Sequence, residues 1–271
     1  GEVIPAVVDV VLAKRTGQEA AFRFPTTCPE CGSKVSRAAG ILEGDEGVVW
    51  RCLNPDCPAQ VRGRIEHWCA RGAMDIEGLG EVMVSKMVDN GWLKSFADIY
   101  TLPGREDELS QIEIEQERKT DDGVKTTVVQ FGQKRAAKLI EGIERSKKQP
   151  LARLLAALNI RHVGAATAEL LADHFREMTA LMEASEDSLQ EIEGVGPELA
   201  YSIHHFFHSD VGRNTIERLK RAGVNMLQPR NEKALDGLFA GKTVVVTGTL
   251  ESMGRAEAQN LIKQLGGKVA G

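Results

Sequence analysis

Four of the chain's five cysteines stand in two short pairs, Cys28-Pro-Glu-Cys31 and Cys52-Leu-Asn-Pro-Asp-Cys57, with twenty residues between the pairs. Thiolates presented two by two on turn-forming backbone can close a tetrahedron around one Zn2+. Four sulfur ligands leave no position open for water or substrate. The site predicted for Cys28, Cys31, Cys52 and Cys57 is therefore structural rather than catalytic. Cys69, within His67-Trp68-Cys69, has no partner at metal spacing and reads as a core residue on a helix. An odd cysteine count in 271 residues argues against a secreted disulfide scaffold and for a reducing cytoplasm.

A second chemistry needs no side chain at all. Four segments share an apolar residue, a glycine-bearing turn and a helix start. Ile76-Glu77-Gly78-Leu79-Gly80 precedes a helix over 81–89, and Val129-Gln130-Phe131-Gly132 one over 133–143. Ile160-Arg161-His162-Val163-Gly164 precedes 165–174, and Ile192-Glu193-Gly194-Val195-Gly196 precedes 197–206. Glycine permits positive φ and close approach of another chain. The first-turn N–H groups of each helix then point outward at the positive end of its dipole, which is a phosphate cradle. Pro197 suits the first position of its helix, where its missing N–H costs nothing. The candidate phosphate contacts are Gly78, Gly80, Gly132, Gly164, Gly194 and Gly196, reinforced by Lys134, Arg135, Arg161 and His162. Cradles repeated in this way position a protein on nucleic acid without reading its sequence.

These turns must be carried by short amphipathic helices, and residues 63–226 have that character. Before them, residues 1–24 carry a Val- and Ile-rich stretch over 2–13 that predicts one β-strand, and residues 25–62 hold the cysteines. Residues 227–236, with Pro229 and Arg230, read as a linker. Residues 237–271 predict a β-α-β opening: a strand over 244–247, a helix over 255–265 and a second strand from Lys268. An opening without methionine and an ending inside a βαβ unit both read as a piece of something longer. The acidic stretch 105–127 reads as a solvated loop, with a small β-element over 125–131 as the alternative. Histidines 204, 205 and 208 share a helix, but no carboxylate or cysteine joins them at helical spacing, so no metal is assigned there. Gly248 and Gly254 lack the G-x-G-x-x-G spacing of a dinucleotide site. The net charge of −5 excludes a uniformly basic coat protein but not local phosphate binding. No run of apolar residues is long enough to span a membrane. No nucleophile is paired with a base, and no catalytic residue is assigned.

The order of these parts resembles the carboxy-terminal part of the bacterial NAD+-dependent DNA ligases. Residues 1–5 resemble the last strand of that family's OB domain, and the four cysteines its zinc finger. Residues 73–80 and 158–164 resemble its helix-hairpin-helix signatures. Residues 241–250 resemble the opening of its BRCT domain. The resemblance implies a multi-domain, mainly α chain: an OB remnant, a small four-cysteine zinc finger, an all-α array of four helix-hairpin-helix motifs and a partial α/β BRCT domain. It also implies a monomeric clamp on the backbone and minor groove of nicked duplex DNA, in the bacterial cytoplasm at the nucleoid. NAD+ and Mg2+ are implied for the complete enzyme only, since the family's Lys-x-Asp-Gly motif is absent from this chain. A non-enzymatic adaptor pairing such hairpins with BRCT is the rival reading. An excision-repair nuclease subunit is a more distant one.

Overall fold

A computed structural model of the chain describes residues 6, 8–39, 46–120, 123–229, 237–248, 250 and 252–270. They form two compact units, residues 1–60 and 61–271.

In the first unit, β1 (Val35–Ala39) and β2 (Glu46–Cys52) pair antiparallel, with Val35 opposite Cys52 and an irregularity between Arg37 and Ala39. Trp50 of β2 stacks on Phe24 at 5.3 Å between ring centroids. Of the strand predicted over 2–13, residues 2–5 and 7 lie outside the described residues. The remainder forms only a 3₁₀ turn, Leu12–Lys14. A strand needs a ladder partner for its N–H and C=O groups, and among the described residues it has none.

The helices follow as α1 (Pro58–Cys69), α2 (Glu81–Asp89), α3 (Glu106–Ser110), then after a β-ribbon α4 (Gln133–Ser146) and α5 (Leu151–Ala157). Next come α6 (Ala165–Phe175), α7 (Met178–Glu183), α8 (Glu186–Gln190), α9 (Pro197–His208) and α10 (Asp210–Arg221). The ribbon is β3 (Glu113–Thr120) paired antiparallel with β4 (Gly123–Gln130). The array is therefore not purely helical, and the loop predicted for the acidic stretch is wrong. The reason is local. Thr126, Thr127, Val128 and Val129 are β-branched, Ile114 is buried, and Phe131 N–H and Gly132 N–H donate to the carbonyls of Ile112 and Ser110 at 2.8 Å each. Net charge described the surface of this segment and not its backbone.

Apolar spacing explains the core. On α4, Ala136, Leu139 and Ile143 recur at three- and four-residue intervals and are fully buried. Burial of each large side chain contributes about 1.5–3 kcal/mol. Trp68 of α1, fully buried, stacks on Phe96 at 4.3 Å. Cys69 is a buried helix residue, as predicted, and burial pushes its thiol up to about 12. After α10 the chain turns back along the domain. Asn225 N–H donates to Lys147 O, Met178 N–H to Met226 O and Gln228 N–H to Arg176 O. The first residues of the predicted linker thus belong to the helical domain, because their backbone groups find partners there. Residues 230–236 lie outside the described residues. The βαβ prediction holds: β5 (Thr243–Val245) lies parallel to β6 (Lys268–Ala270) across α11 (Arg255–Gln264).

One polar pin fastens α10 to the 3₁₀ helix Phe96–Thr101. Arg218 Nη2 donates to Asp98 Oδ1 at 2.6 Å and Nη1 to Ser95 Oγ at 3.0 Å. The second Asp98 oxygen accepts from the N–H groups of Lys94 and Ser95. Burial opposes ionisation of Asp98, but the Lys94 N–H, the Arg218 guanidinium and the Ser95 N–H together hold it below its usual 3.8. A depressed carboxylate stabilises the fold fully above its unfolded pKa and loses that contribution as pH falls below it. Asp98→Asn is expected to cost about 1–3 kcal/mol at pH 7. The deficit should shrink as the parent protein is acidified below pH 4, as read by urea unfolding across pH.

Candidate metal centre and nucleic-acid interface

The first unit brings its four cysteines together. Their sulfur atoms all lie within 4.8 Å of one another, the one such group of three or more ligand atoms among the described residues. Cys28 Sγ is 3.9 Å from Cys57 Sγ, and Cys31 Sγ is 3.5 Å from Cys52 Sγ. A Zn–S bond of about 2.3 Å implies tetrahedral edges of about 3.8 Å, so the donor set fits zinc. Each knuckle is shaped by backbone. In the first, Gly32 at φ +70° donates to Cys28 O, and Cys28 N–H to Ser33 O. The second spans its longer gap with an Asn54 turn, whose Oδ1 accepts from Asp56 N–H at 3.0 Å. The Gln60 side chain ties the start of α1 to the carbonyls of Cys52 and Asn54.

The thiols are electrically unequal. Ser33, through its hydroxyl and N–H, holds Cys31 down to about 6. The Asn54 N–H lowers Cys52, but burial and the neighbouring thiols outweigh it and raise that thiol to about 11. Four anionic sulfurs cannot share this space without a cation among them, so zinc binding must release protons. Cys57→Ser is expected to reduce zinc from about one per chain to near zero and to abolish protection of residues 27–60 in hydrogen exchange. Acidification of the unaltered chain should release zinc as the thiols reprotonate.

In the second unit, three of the four glycine turns are copies at the level of the backbone. The residues at the start of their helices, Gly80, Gly164 and Gly196, have φ/ψ of −85°/177°, −92°/−177° and −84°/174°. Each accepts the first helical hydrogen bond at 2.9 Å, from Val84, Ala168 and Ala200. Two residues earlier, Gly78, His162 and Gly194 all adopt positive φ, at +100°, +67° and +92°. The apolar flanks Ile76 and Leu79, Ile160 and Val163, and Ile192 and Val195 are all buried. Each turn is thus anchored from beneath while its glycine rim stays exposed. Pro197 occupies the first turn of α9, as predicted.

The N-terminal glycines differ in kind from the positive-φ ones. At Gly78 and Gly194 the backbone demands glycine, and a Cβ would also meet Leu139 and Leu170 at 3.7 Å. At Gly80, Gly164 and Gly196 the φ suits any residue, and a Cβ would meet nothing within 4 Å. Neither conformation nor packing inside the molecule requires glycine there. None of these helices has a side-chain cap, whereas α8 and α10 open on Ser185 and Ser209, whose hydroxyls accept from Ser188 N–H and Gly212 N–H. Among the described residues, no acceptor outside the helices meets the first-turn N–H groups of α2, α6 and α9.

The second copy departs from the other three. Gly132 has φ/ψ of 83°/151°, and its N–H and that of Phe131 are consumed at the base of the ribbon. What this copy offers is Lys134 and Arg135, both exposed, with the Arg135 guanidinium 5.6 Å from the Phe131 ring centre. Arg161 and His162 are exposed on the third turn. Sequence spacing missed the pairing of motifs. The Gly78 turn packs on α4, joined by Lys138 to Glu77 at 2.9 Å, and the Gly194 turn packs on α6. It also missed that Glu186 of α8 comes within 3.3 Å of His204, whose ring stacks on His208. Gly194→Ser is expected to cost about 1–2 kcal/mol through its left-handed φ. Gly196→Ser should change stability by no more than a few tenths, serine being a good first-turn cap. Thermal unfolding of the pair measures the contrast.

Comparison with known proteins follows this geography. The NAD-dependent DNA ligase C4 zinc finger domain matches residues 27–59, the helix-hairpin-helix motif 153–216, and the BRCA1 C Terminus (BRCT) domain 235–271. The whole chain is 42% identical to a DNA ligase of Bacillus cytotoxicus and 40% identical to those of Bacillus thuringiensis (strain Al Hakam) and Bacillus cereus (strain B4264). It spans 38% of the length of each of these relatives. No described helix is long and apolar enough to cross a membrane. Along its whole length the chain is similar in sequence to one part of these bacterial DNA ligases.

Proposed function

We propose that this chain is the DNA-gripping portion of an NAD+-dependent DNA ligase, which seals single-strand nicks in duplex DNA during replication and repair. The observation that carries the reading is the three superposable helix starts, uncapped and glycine-rimmed where the fold itself does not need glycine. Their N–H groups would hold phosphate oxygens of both strands across the minor groove. Lys134, Arg135, Arg161 and His162 would add charge around them. Gly78, Gly132 and Gly194 shape the turns. Zinc held by Cys28, Cys31, Cys52 and Cys57 fixes the finger and takes no part in chemistry. NAD+ and Mg2+ belong to the complete enzyme, whose remaining polypeptide is the chain's covalent partner. The working form would be a monomer in the bacterial cytoplasm, associated with the nucleoid.

An aspartate at the start of a helix separates structure from function. It is among the best first-turn caps, so Gly164→Asp and Gly196→Asp should hold or slightly raise stability. The same carboxylate would occupy the N–H groups and repel phosphate. Fluorescence titration with nicked and intact duplexes should show at least tenfold weaker binding on every sequence tested. A change in sequence preference alone, or no change at all, would contradict the phosphate-cradle reading and favour an adaptor that recruits protein.

A further inference from the structure

Beyond the cradle at its start, helix α9 carries a histidine cluster that DNA binding leaves without a role. His204 and His208 stand one turn apart on the same side of α9. Their rings stack, with centroids 3.8 Å apart and planes 21° from parallel. His208 is exposed and His204 half-buried, so both are within reach of a solute. No carboxylate joins them at helical spacing along α9, but one arrives from α8. Glu186 Oε1 lies 3.3 Å from His204 Nδ1. Helices α8 and α9 are the two arms of the fourth hairpin, joined by the turn over 191–196.

The partners of the two rings reserve the same atom on each. His208 Nδ1 is 2.9 Å from the carbonyl oxygen of His204. A carbonyl only accepts, so this Nδ1 carries a proton, and in the neutral ring the lone pair sits on Nε2. The carboxylate beside His204 Nδ1 favours the same tautomer there. Among the described residues, neither Nε2 meets a donor or an acceptor. A ring N–H held by a carbonyl or a carboxylate, with the other nitrogen left to bind, is how proteins prepare a histidine for a metal. His205 differs from its two neighbours. Its ring stacks on Tyr201 at 5.6 Å, and among the described residues no carbonyl or carboxylate holds its Nδ1.

We propose that His204 and His208 bind one divalent ion of the zinc, nickel and copper class through their Nε2 atoms, with Glu186 orienting His204 from α8. Two ring nitrogens on one ion, at about 2.1 Å each and at a tetrahedral angle, stand about 3.4 Å apart. Rings whose centres are already 3.8 Å apart reach that spacing by a small rotation about their side-chain bonds. Imidazole suits this class of ion, whereas Mg2+ and Ca2+ take oxygen ligands. Water fills the remaining positions, so this ion exchanges readily, unlike a zinc enclosed by four cysteines. Because the histidines belong to α9 and their carboxylate to α8, the ion ties the arms of the fourth hairpin together. An ion held only by the folded hairpin stabilises it in proportion to its occupancy.

The test is a calorimetric titration of the full 271-residue chain, its four-cysteine site already loaded with zinc, with Zn2+ and separately with Mg2+. Zn2+ is expected to bind at about one further ion per chain and to raise the melting temperature, and Mg2+ to do neither. H204A and H208A should each weaken the added zinc by at least about tenfold, and E186Q by about tenfold. H205A should leave it unchanged. Each variant is melted without added zinc as well. If H204A lowers that melting temperature by itself, the exposed His208 carries the comparison through H208A. No further zinc, or a further zinc that H208A holds as tightly as the unaltered chain, would overturn the site. Equal losses from H205A and H208A would replace it with unspecific binding to exposed imidazoles. Full affinity in E186Q would overturn the link from α9 to α8.

Discussion

Every α-helix begins with N–H groups that have no acceptor within the helix, and a protein must cap them, bury them against an acceptor or leave them to solvent and ligands. This domain does the first at α8 and α10, with Ser185 and Ser209, and leaves α2, α6 and α9 open. Keeping a helix start open and rigid is a demanding combination. The rim must be glycine so that nothing blocks approach, and the residues flanking it must be buried so that it does not fray. Ile76 with Leu79, Ile160 with Val163, and Ile192 with Val195 supply that anchorage three times over. The pairing of motifs adds to it, since the turns at Gly78 and Gly194 rest on the helices of their neighbours.

His162 shows how firmly the third turn is held. It occupies with φ +67° the position that glycine takes in the first and fourth copies. A side chain in that region costs about 1–2 kcal/mol, and the buried Ile160 and Val163 on either side hold the backbone there regardless. Asp75 and Asn159, at φ +56° and +53°, precede the first and third turns in the same left-handed conformation. Asn and Asp tolerate it best among residues with a side chain. Three of the four non-glycine residues with positive φ among the described residues lie beside the open helix starts; the fourth, Arg176 at φ +66°, closes the C-terminal end of α6.

Much of this was legible in sequence because the signals were local. Cysteine spacing located the finger, and a glycine two residues before a glycine located the first and fourth turns. Helix starts at Glu81, Gln133, Ala165 and Pro197 fell where they were expected. What sequence could not supply were facts created by tertiary contact. The ribbon ranked second to a loop, with only its 125–131 part offered as a β-element, because its acids mimic a solvated loop, while its identity depends on Ile114 reaching the core and on two hydrogen bonds at its base. The first residues of the 227–236 segment resembled a linker because Arg176, whose carbonyl accepts from Gln228 N–H, is far away in the chain. The distinction between glycines required by φ and glycines required by nothing internal is likewise invisible without coordinates. That distinction separates fold from function here.

The most direct measurement is of the N–H groups themselves. Amide resonances of the 15N-labelled chain would be followed on addition of short duplexes of unrelated sequence. The account predicts that the amides of Gly80, Glu81, Gly164, Ala165, Gly196 and Glu198 shift together, along one binding curve, for every duplex. Shifts confined to other surfaces, with these six amides unmoved while DNA is bound, would contradict it.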